Sequence, residues 1–371
     1  MSPRTRLLLA LLCALLPSAV AAQQRPTLPR DKDPNDWEAY YDLGVEQLGH
    51  DSYKAEYAFS WASHLRPDRP EPLYGQWLAF HIRDIRRFER YLQDDEKTLR
   101  DPEVLRADSL RTAAFRRNPF VHQGLMVLLW DKLPGQWGED PLTRAWLSLG
   151  RANLAVAADE FGKLITRNPE KYGYLRFVRA AALVNLHRYD SAAADISGLL
   201  AQERAQDAKT TGSGYESKEL LEYALGLLQF QLHNPAAARE AFGRATVENA
   251  GFAPAHAMLG ELAVMKRDTA TALLEFGLAT ETDPTDVEIL IGYGKALRLA
   301  NRPADAAAQF RKAVTLERYY AEPFFFLAQA LDATGDKAGA SDAYGQFLAK
   351  SSQYDPRRSV AEQRMTALKD R

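Results

Sequence analysis

Residues 219–252 read ELLEYALGLLQFQLHNPAAAREAFGRATVENAGF, and residues 253–286 read APAHAMLGELAVMKRDTATALLEFGLATETDPTD. Laid one under the other, they set Leu225-Gly226 over Leu259-Gly260, Ala238 over Ala272, Phe242 over Phe276 and Ala245 over Ala279. Two further steps of 34 residues reach Tyr293-Gly294 and Leu327-Ala328, Ala306 and Ala340, Phe310 and Tyr344, Ala313 and Phe347. Four tracks on one period, without an insertion, make an internal repeat. A period of this length belongs to stacked supersecondary units.

Within a unit the spacing is helical. Leu259, Gly260 and Ala263 share one face, and Ala272, Phe276 and Ala279 recur at i, i+4 and i+7. Asn234-Pro235, Arg267-Asp268, Asn301-Arg302-Pro303 and Gly335-Asp336 interrupt the two runs. Asn234, Asp268 and Asp336 stand where a side-chain oxygen caps a following helix. Asp283-Pro284 ends a unit, since proline and its predecessor disfavour continued helix. Each unit is therefore expected to be two antiparallel helices. Glycine inside a helix costs ~1 kcal/mol, so Gly226, Gly260 and Gly294 at one register imply close packing, with Phe242, Phe276 and Phe310 filling the space between helices.

This pattern resembles the tetratricopeptide repeat (TPR) family, whose 34-residue unit carries Trp-x2-Leu-Gly, then Ala, Phe or Tyr, Ala and Pro. Residues 219–350 match over four consecutive units. Trp146-Leu147-Ser148-Leu149-Gly150 is a full Trp-x2-Leu-Gly, and Ala157, Phe161 and Pro169 keep the second-helix spacing, with about five residues missing between the halves relative to the family. Ala55, Phe59, Ala62 and Pro67 follow Leu43-Gly44, and Ala180, Ala192, Ile196 and Leu199 mark a further unit. Residues 71–133 read as similar helices with an insertion around Leu92–Asp101 and no assignable register. The resemblance implies an all-α, right-handed superhelical solenoid of antiparallel helix pairs, about seven to eight units with the last four regular. The expected organisation is a signal peptide at 1–22, a linker at 23–35, irregular repeats at 36–209, regular units at 215–350 and a capping helix at 356–371.

In the family the first helix of each unit lines a concave groove. By resemblance the groove positions are Tyr223, Leu227 and Phe230, then Ala257, Glu261 and Val264, then Ile291, Lys295 and Arg298, then Phe325, Gln329 and Asp332. Some of these are expected to pack only against the neighbouring helix. Glu261, Lys295, Arg298, Gln329 and Asp332 are the strongest candidates for the groove, because polar groups buried unpaired are costly. Chaperone-binding members hold terminal carboxylates with a basic cluster. Tyr223, Ala257, Ile291 and Phe325 occupy those places here, so that clamp is absent. An apolar stripe interrupted by Lys295 and Arg298 suits an extended or helical peptide with hydrophobic anchors and one acidic residue.

Catalytic and metal motifs fail in turn. Neither His-Glu-x-x-His nor a phosphate loop nor Gly-x-Ser-x-Gly occurs. The seven histidines show no i, i+3 or i, i+4 pair. Gly292-Tyr293-Gly294 is a repeat glycine pair, with Leu297 where a dinucleotide loop needs glycine. Asp31, Asp33 and Asn35 mimic a calcium loop, but Pro34 and Asp36 break it. No cofactor, no metal and no catalytic residue is assigned. The tryptophans are expected to fill gaps between helices, except Trp137, whose Pro134-Gly135-Gln136-Trp137-Gly138 surroundings leave it as a ligand-stacking candidate.

A formal net charge of −2 excludes a strongly basic nucleic-acid surface. Arg4 and Arg6, the run from Leu7 to Leu16 and Ala19-Val20-Ala21 have the form of a signal peptide, whose removal takes the single cysteine, Cys13, with it. The apolar stretch, broken at Pro17, is short of the ~20 residues that span a bilayer. The expectation is a non-enzymatic exported scaffold, periplasmic or extracellular, binding a protein or peptide segment in its groove to assemble or maintain an envelope complex. The alternative is a small-ligand or glycan-binding component. Partner identity and oligomeric state are left open.

Overall fold

In the computed structural model, residues 25–92, 96–121, 141–208 and 218–369 are described, and every regular element among them is a helix. The leader 1–22 and Trp137 lie outside these residues. Helix α1 (Trp37–Gln47) pairs with α2 (Ser52–Leu65), and α3 (Pro70–Ile82) pairs with α6 (Pro102–Arg117). Between the latter two, at 83–101, lie the short α4 (Ile85–Leu92) and α5 (Glu96–Leu99). Then α7 (Pro141–Gly150) pairs with α8 (Leu154–Arg167) and, after α9 (Pro169–Tyr172), α10 (Leu175–Asn185) pairs with α11 (Tyr189–Asp207). Four regular pairs follow: α12 (Glu219–Gln231) with α13 (Pro235–Glu248), α14 (Ala253–Met265) with α15 (Thr269–Thr282), α16 (Val287–Leu299) with α17 (Pro303–Leu316), and α18 (Glu322–Thr334) with α19 (Lys337–Lys350). Last comes α20 (Arg358–Lys369), packed on α19.

The repeat register is held by a ring laid on a glycine. A Cβ added to Gly260 would stand 2.7 Å from the Phe276 ring, and one added to Gly294 2.5 Å from the Phe310 ring. The Phe276 ring is also met by Gly292 of the next pair, so one phenylalanine closes its own pair and docks the following one. Phe59 does the same between Gly44 and Gly75. Phe242, Phe276 and Phe310 are almost wholly buried.

The elbow between paired helices is equally regular. One residue turns into the left-handed region: His233 (φ 55°), Arg267 (57°), Asn301 (57°) and Gly335 (82°), one per unit. The next amide then reaches back to satisfy the orphan carbonyls of the first helix, as Asp268 N–H does to the Ala263 oxygen at 2.9 Å. The oxygens of Asn234, Asp268 and Asp336 accept from Ala237, Thr271 and Gly339 N–H at 3.3, 3.1 and 2.9 Å, capping the second helix. Arg302, the odd member, makes no such cap.

These elbows fix the register of earlier pairs. Seven residues before each left-handed residue lies the small residue of the contact: Gly226, Gly260, Gly294 and Ala328 in the regular pairs. Ala152 and His187 are left-handed too, and the same step lands on Ala145 and Ala180, both fully buried. Leu149-Gly150 is therefore not the Leu-Gly of a motif, as its sequence suggests. It ends α7, five residues out of register, which accounts for the residues missing from that unit. In the second pair Gly75 meets Phe59 as Gly292 meets Phe276, so Trp77 occupies the small-residue place. An indole there keeps the usual partner ring out. Phe88 of the inserted α4 packs on it instead, and Asp108 of α6 accepts its N–H at 3.2 Å.

The two ends of the array meet, which the repeat pattern alone does not imply. Trp61 of α2 packs on Tyr319 with ring centroids 4.9 Å apart, and His64 Nδ1 lies 3.2 Å from Glu317. Arg117 at the end of α6 lies 3.6 Å from Asp286. Residues 25–35, expected to be a linker, run along the last pair. Asp33 accepts from Ser352 Oγ at 2.8 Å and Gln353 N–H at 2.9 Å, while Asn35 Nδ2 donates to the Ala349 oxygen at 3.1 Å. Asp36 then caps α1 through the Glu38 N–H at 3.1 Å.

Candidate functional site

Because the first pairs come round to the later ones, the inner side of α12, α14 and α16 faces α6 rather than open solvent. Between them lies a cavity of about 710 Å³. Tyr223 forms its floor, Ala257, Met258 and Glu261 line it from α14, and Glu288 and Ile289 from α16. The opposite wall is α6, with Leu105, Ser109, Thr112, Ala113, Arg116 and Arg117. Asp68, Asp283 and Asp286 rim it from the loops before α3 and α16.

Most of its charged groups are committed within the chain. Asp68 holds Arg66 through two hydrogen bonds of 2.7 and 2.6 Å. Asp286 accepts from the Glu288 and Ile289 N–H groups at 2.9 and 3.2 Å, capping α16, and faces Arg117. Arg117 also donates Nε–H to the Pro67 oxygen at 2.7 Å. Two carboxyls differ. Glu288 Oε1 is shielded from solvent and has no hydrogen-bond partner. Burial, with Asp68, Glu322 and Asp286 nearby, pushes the Glu288 carboxyl up to about 8. Burial also raises Glu261, against the pull of Lys295.

One turn further along α14 a second hollow of about 590 Å³ opens, bounded by Val264, Met265, Lys295, Arg298 and Leu299. Lys295 Nζ is bound to Glu322 at 3.2 Å and lies 4.6 Å above the Phe326 ring. Burial draws Arg298 below the usual arginine range.

The residues expected to line one groove thus separate. Glu261 and Tyr223 border the first cavity; Val264, Lys295 and Arg298 border the second. Leu227 and Phe230 are half-buried against the cluster around Phe242. Ile291 and Phe325 are core residues, 1% and 6% exposed, because they point into the neighbouring pair; Tyr223, at 4%, offers only an edge. Asp332 pairs with Arg364 of α20, and Gln329 is half-buried. Glu288 and the whole α6 wall carry no mark in the sequence. No register could be set for 71–133, and Glu288 falls where the preceding unit has Pro254, so no repeat track marks it.

Among the described residues no group of three or more His, Cys, Asp or Glu side chains could hold a metal ion, and no helix is long and apolar enough to cross a membrane. Trp37, Trp61, Trp77 and Trp146 pack against rings or arginines of the fold.

No protein-family model matches the sequence, and no curated protein matches it. Among solved structures, the C-terminal part of a TPR repeat-containing protein from Cytophaga hutchinsonii is similar, at 16% identity and a TM-score of 0.47, over 61% of this chain and 95% of that one. YrrB, described as a TPR protein with an unusual peptide-binding site, is 18% identical over 56% of this chain and 99% of its own, with a TM-score of 0.44. MamA is 14% identical over 46% and 93%, with a TM-score of 0.40. In its own contacts, a 34-residue helix pair with a ring on a small residue and a left-handed elbow ahead of an Asx cap, the chain has the architecture of a tetratricopeptide-repeat solenoid.

Proposed function

We propose that this chain is a non-catalytic scaffold, exported to the periplasm or cell surface, which holds a segment of another protein along the inner side of α12, α14 and α16 in an envelope assembly. The observation that carries the reading is the pair of hollows following one another along α14, about 710 and 590 Å³. Each is of the size that encloses a ligand. Their succession along one helix suits an extended segment better than a single small molecule, and their apolar residues supply anchors. Export is supported by the basic start, leucine run and small-residue site at 4–21.

The test is site-specific photo-cross-linking in cells, with the reactive residue at Met258 in the cavity or at Val247, which is 86% exposed. Adducts from Met258 should map to one short stretch of one envelope protein and be missing from Val247. Identical adduct patterns at the two positions, or none at Met258, would defeat the reading.

A further inference from the structure

The first cavity presents two carboxyls that feel Lys295 only at a distance and that no cation among the described residues contacts. Glu288 Oε1 is buried without a partner, and no hydrogen bond or ion pair engages Glu261. The cations within reach are already bound: Lys295 to Glu322 at 3.2 Å, Arg117 to the Pro67 oxygen and Asp286. Asp108 on the far wall accepts from Trp77 Nε1 and Tyr91 Oη at 3.2 and 2.9 Å. Arg116, also on that wall, is the remaining basic group lining the cavity. A carboxyl buried unpaired is costly, and a charge-assisted hydrogen bond is what offsets that cost. Around the two acids stand Tyr223, Ala257, Met258, Phe276 and Ile289, an apolar sleeve fit for an alkyl stem.

We propose that this cavity takes a guanidinium or ammonium group on an apolar stem, presented as an arginine or lysine side chain of the bound segment, with Glu288 and Glu261 as its acceptors. The inference rests on the segment-binding reading above. It inverts the charge of a carboxylate-holding groove: the chain supplies the acid and the partner the base. At the rim, the Asp283 carboxylate, which accepts from Thr285 and pairs with no cation among the described residues, disfavours an acidic segment. Since Glu288 is held at about 8, it is mostly protonated at pH 7, and an arriving cation drives its proton off.

Capped arginine (N-acetyl-arginine methylamide) and its neutral citrulline counterpart are titrated calorimetrically into the purified chain at pH 7, in two buffers of different ionisation enthalpy. The arginine probe should bind at least tenfold tighter, about 1.4 kcal/mol, and release close to one proton. Glu288→Gln should abolish the proton release and weaken the preference, and Glu288→Gln with Glu261→Gln should erase it, both keeping the helical circular dichroism. Equal binding of the two probes, a preference that survives unreduced in Glu288→Gln or at all in the double variant, or no heat from either at millimolar concentration would overturn the cation site. In those cases the Met258 cross-links still decide the segment reading. A strong arginine preference without any Met258 adduct would keep the cation site and remove the segment.

Discussion

A phenylalanine ring resting on a glycine is the smallest unit of this molecule's order, and it makes opposite demands on neighbouring glycines. At Gly260 even a methyl group would enter the Phe276 ring, whereas at Gly277, on the same pair, nothing lies within 4 Å of the added atom. Gly260→Ala should therefore cost ~1–3 kcal/mol by overpacking. Gly277→Ala should gain ~0.5–1 kcal/mol, since alanine loses less freedom in a helix. Urea titrations of the two variants read the difference directly, and equal effects would refute the register. Glu222 poses the complementary case. It is fully buried between Arg204 of α11 and Arg244 of α13, which clasp it from either side, Arg244 at 3.0 Å. Its loss in Glu222→Gln should cost ~1–3 kcal/mol, discounted because both arginines are near half-exposed.

At the level of the helix, caps and elbows repeat where the sequence period is clean, and the exception suggests its own repair. Arg302 stands where Asn234, Asp268 and Asp336 cap. Arg302→Asp should stabilise α17 by ~1 kcal/mol, seen as a raised melting temperature. Two buried groups give the chain opposing responses to pH. His81 of α3, enclosed by Trp77, Phe88 and Tyr91, is pushed down to about 3 by burial and by Arg111 and Arg87. The unfolded chain binds that proton near pH 6.5, so stability falls as pH drops from about 6.5 towards 3. Glu288 is raised, so its folded form keeps a proton the unfolded chain has lost, and stability falls as pH rises from about 4.5 through about 8. His81→Phe should recover about 2 kcal/mol at pH 5 relative to pH 8, while Glu288→Gln should flatten the alkaline limb. Urea midpoints against pH check both. These elements also show what could be read beforehand. The pairs from α12 to α19 follow from period alone, because each contact is local and recurs. The α7/α8 register departs from its sequence motif because a Trp-x2-Leu-Gly string can arise at a helix end, where only the elbow's backbone angle tells its place. Trp77, by filling the small-residue place, hides the α3/α6 pair from any repeat search.

Over the whole chain, what escaped the sequence is the meeting of the two ends. Trp61 with Tyr319 and Asp33 with Ser352 join positions that share no repeat track. For the same reason only one wall of the cavity was legible: Glu261 lay on a regular unit, but the α6 wall belonged to the unregistered stretch. Asp33→Ala with Asn35→Ala should free the backbone of residues 25–36, so that trypsin cuts faster at the already exposed Arg30 and Lys32, and leave the melting of the regular pairs nearly unchanged. Cleavage no faster than in the unaltered chain would show that these bonds do not hold the strap down. The clasp also sets a rule of number. An open spiral can gain or lose a module at either tip and remain serviceable, but here one module more would carry the last pair past its landing place on the first. Among its descendants, loop lengths and surface residues are free to drift, while the tally of modules between Asp33 and Ser352 is not.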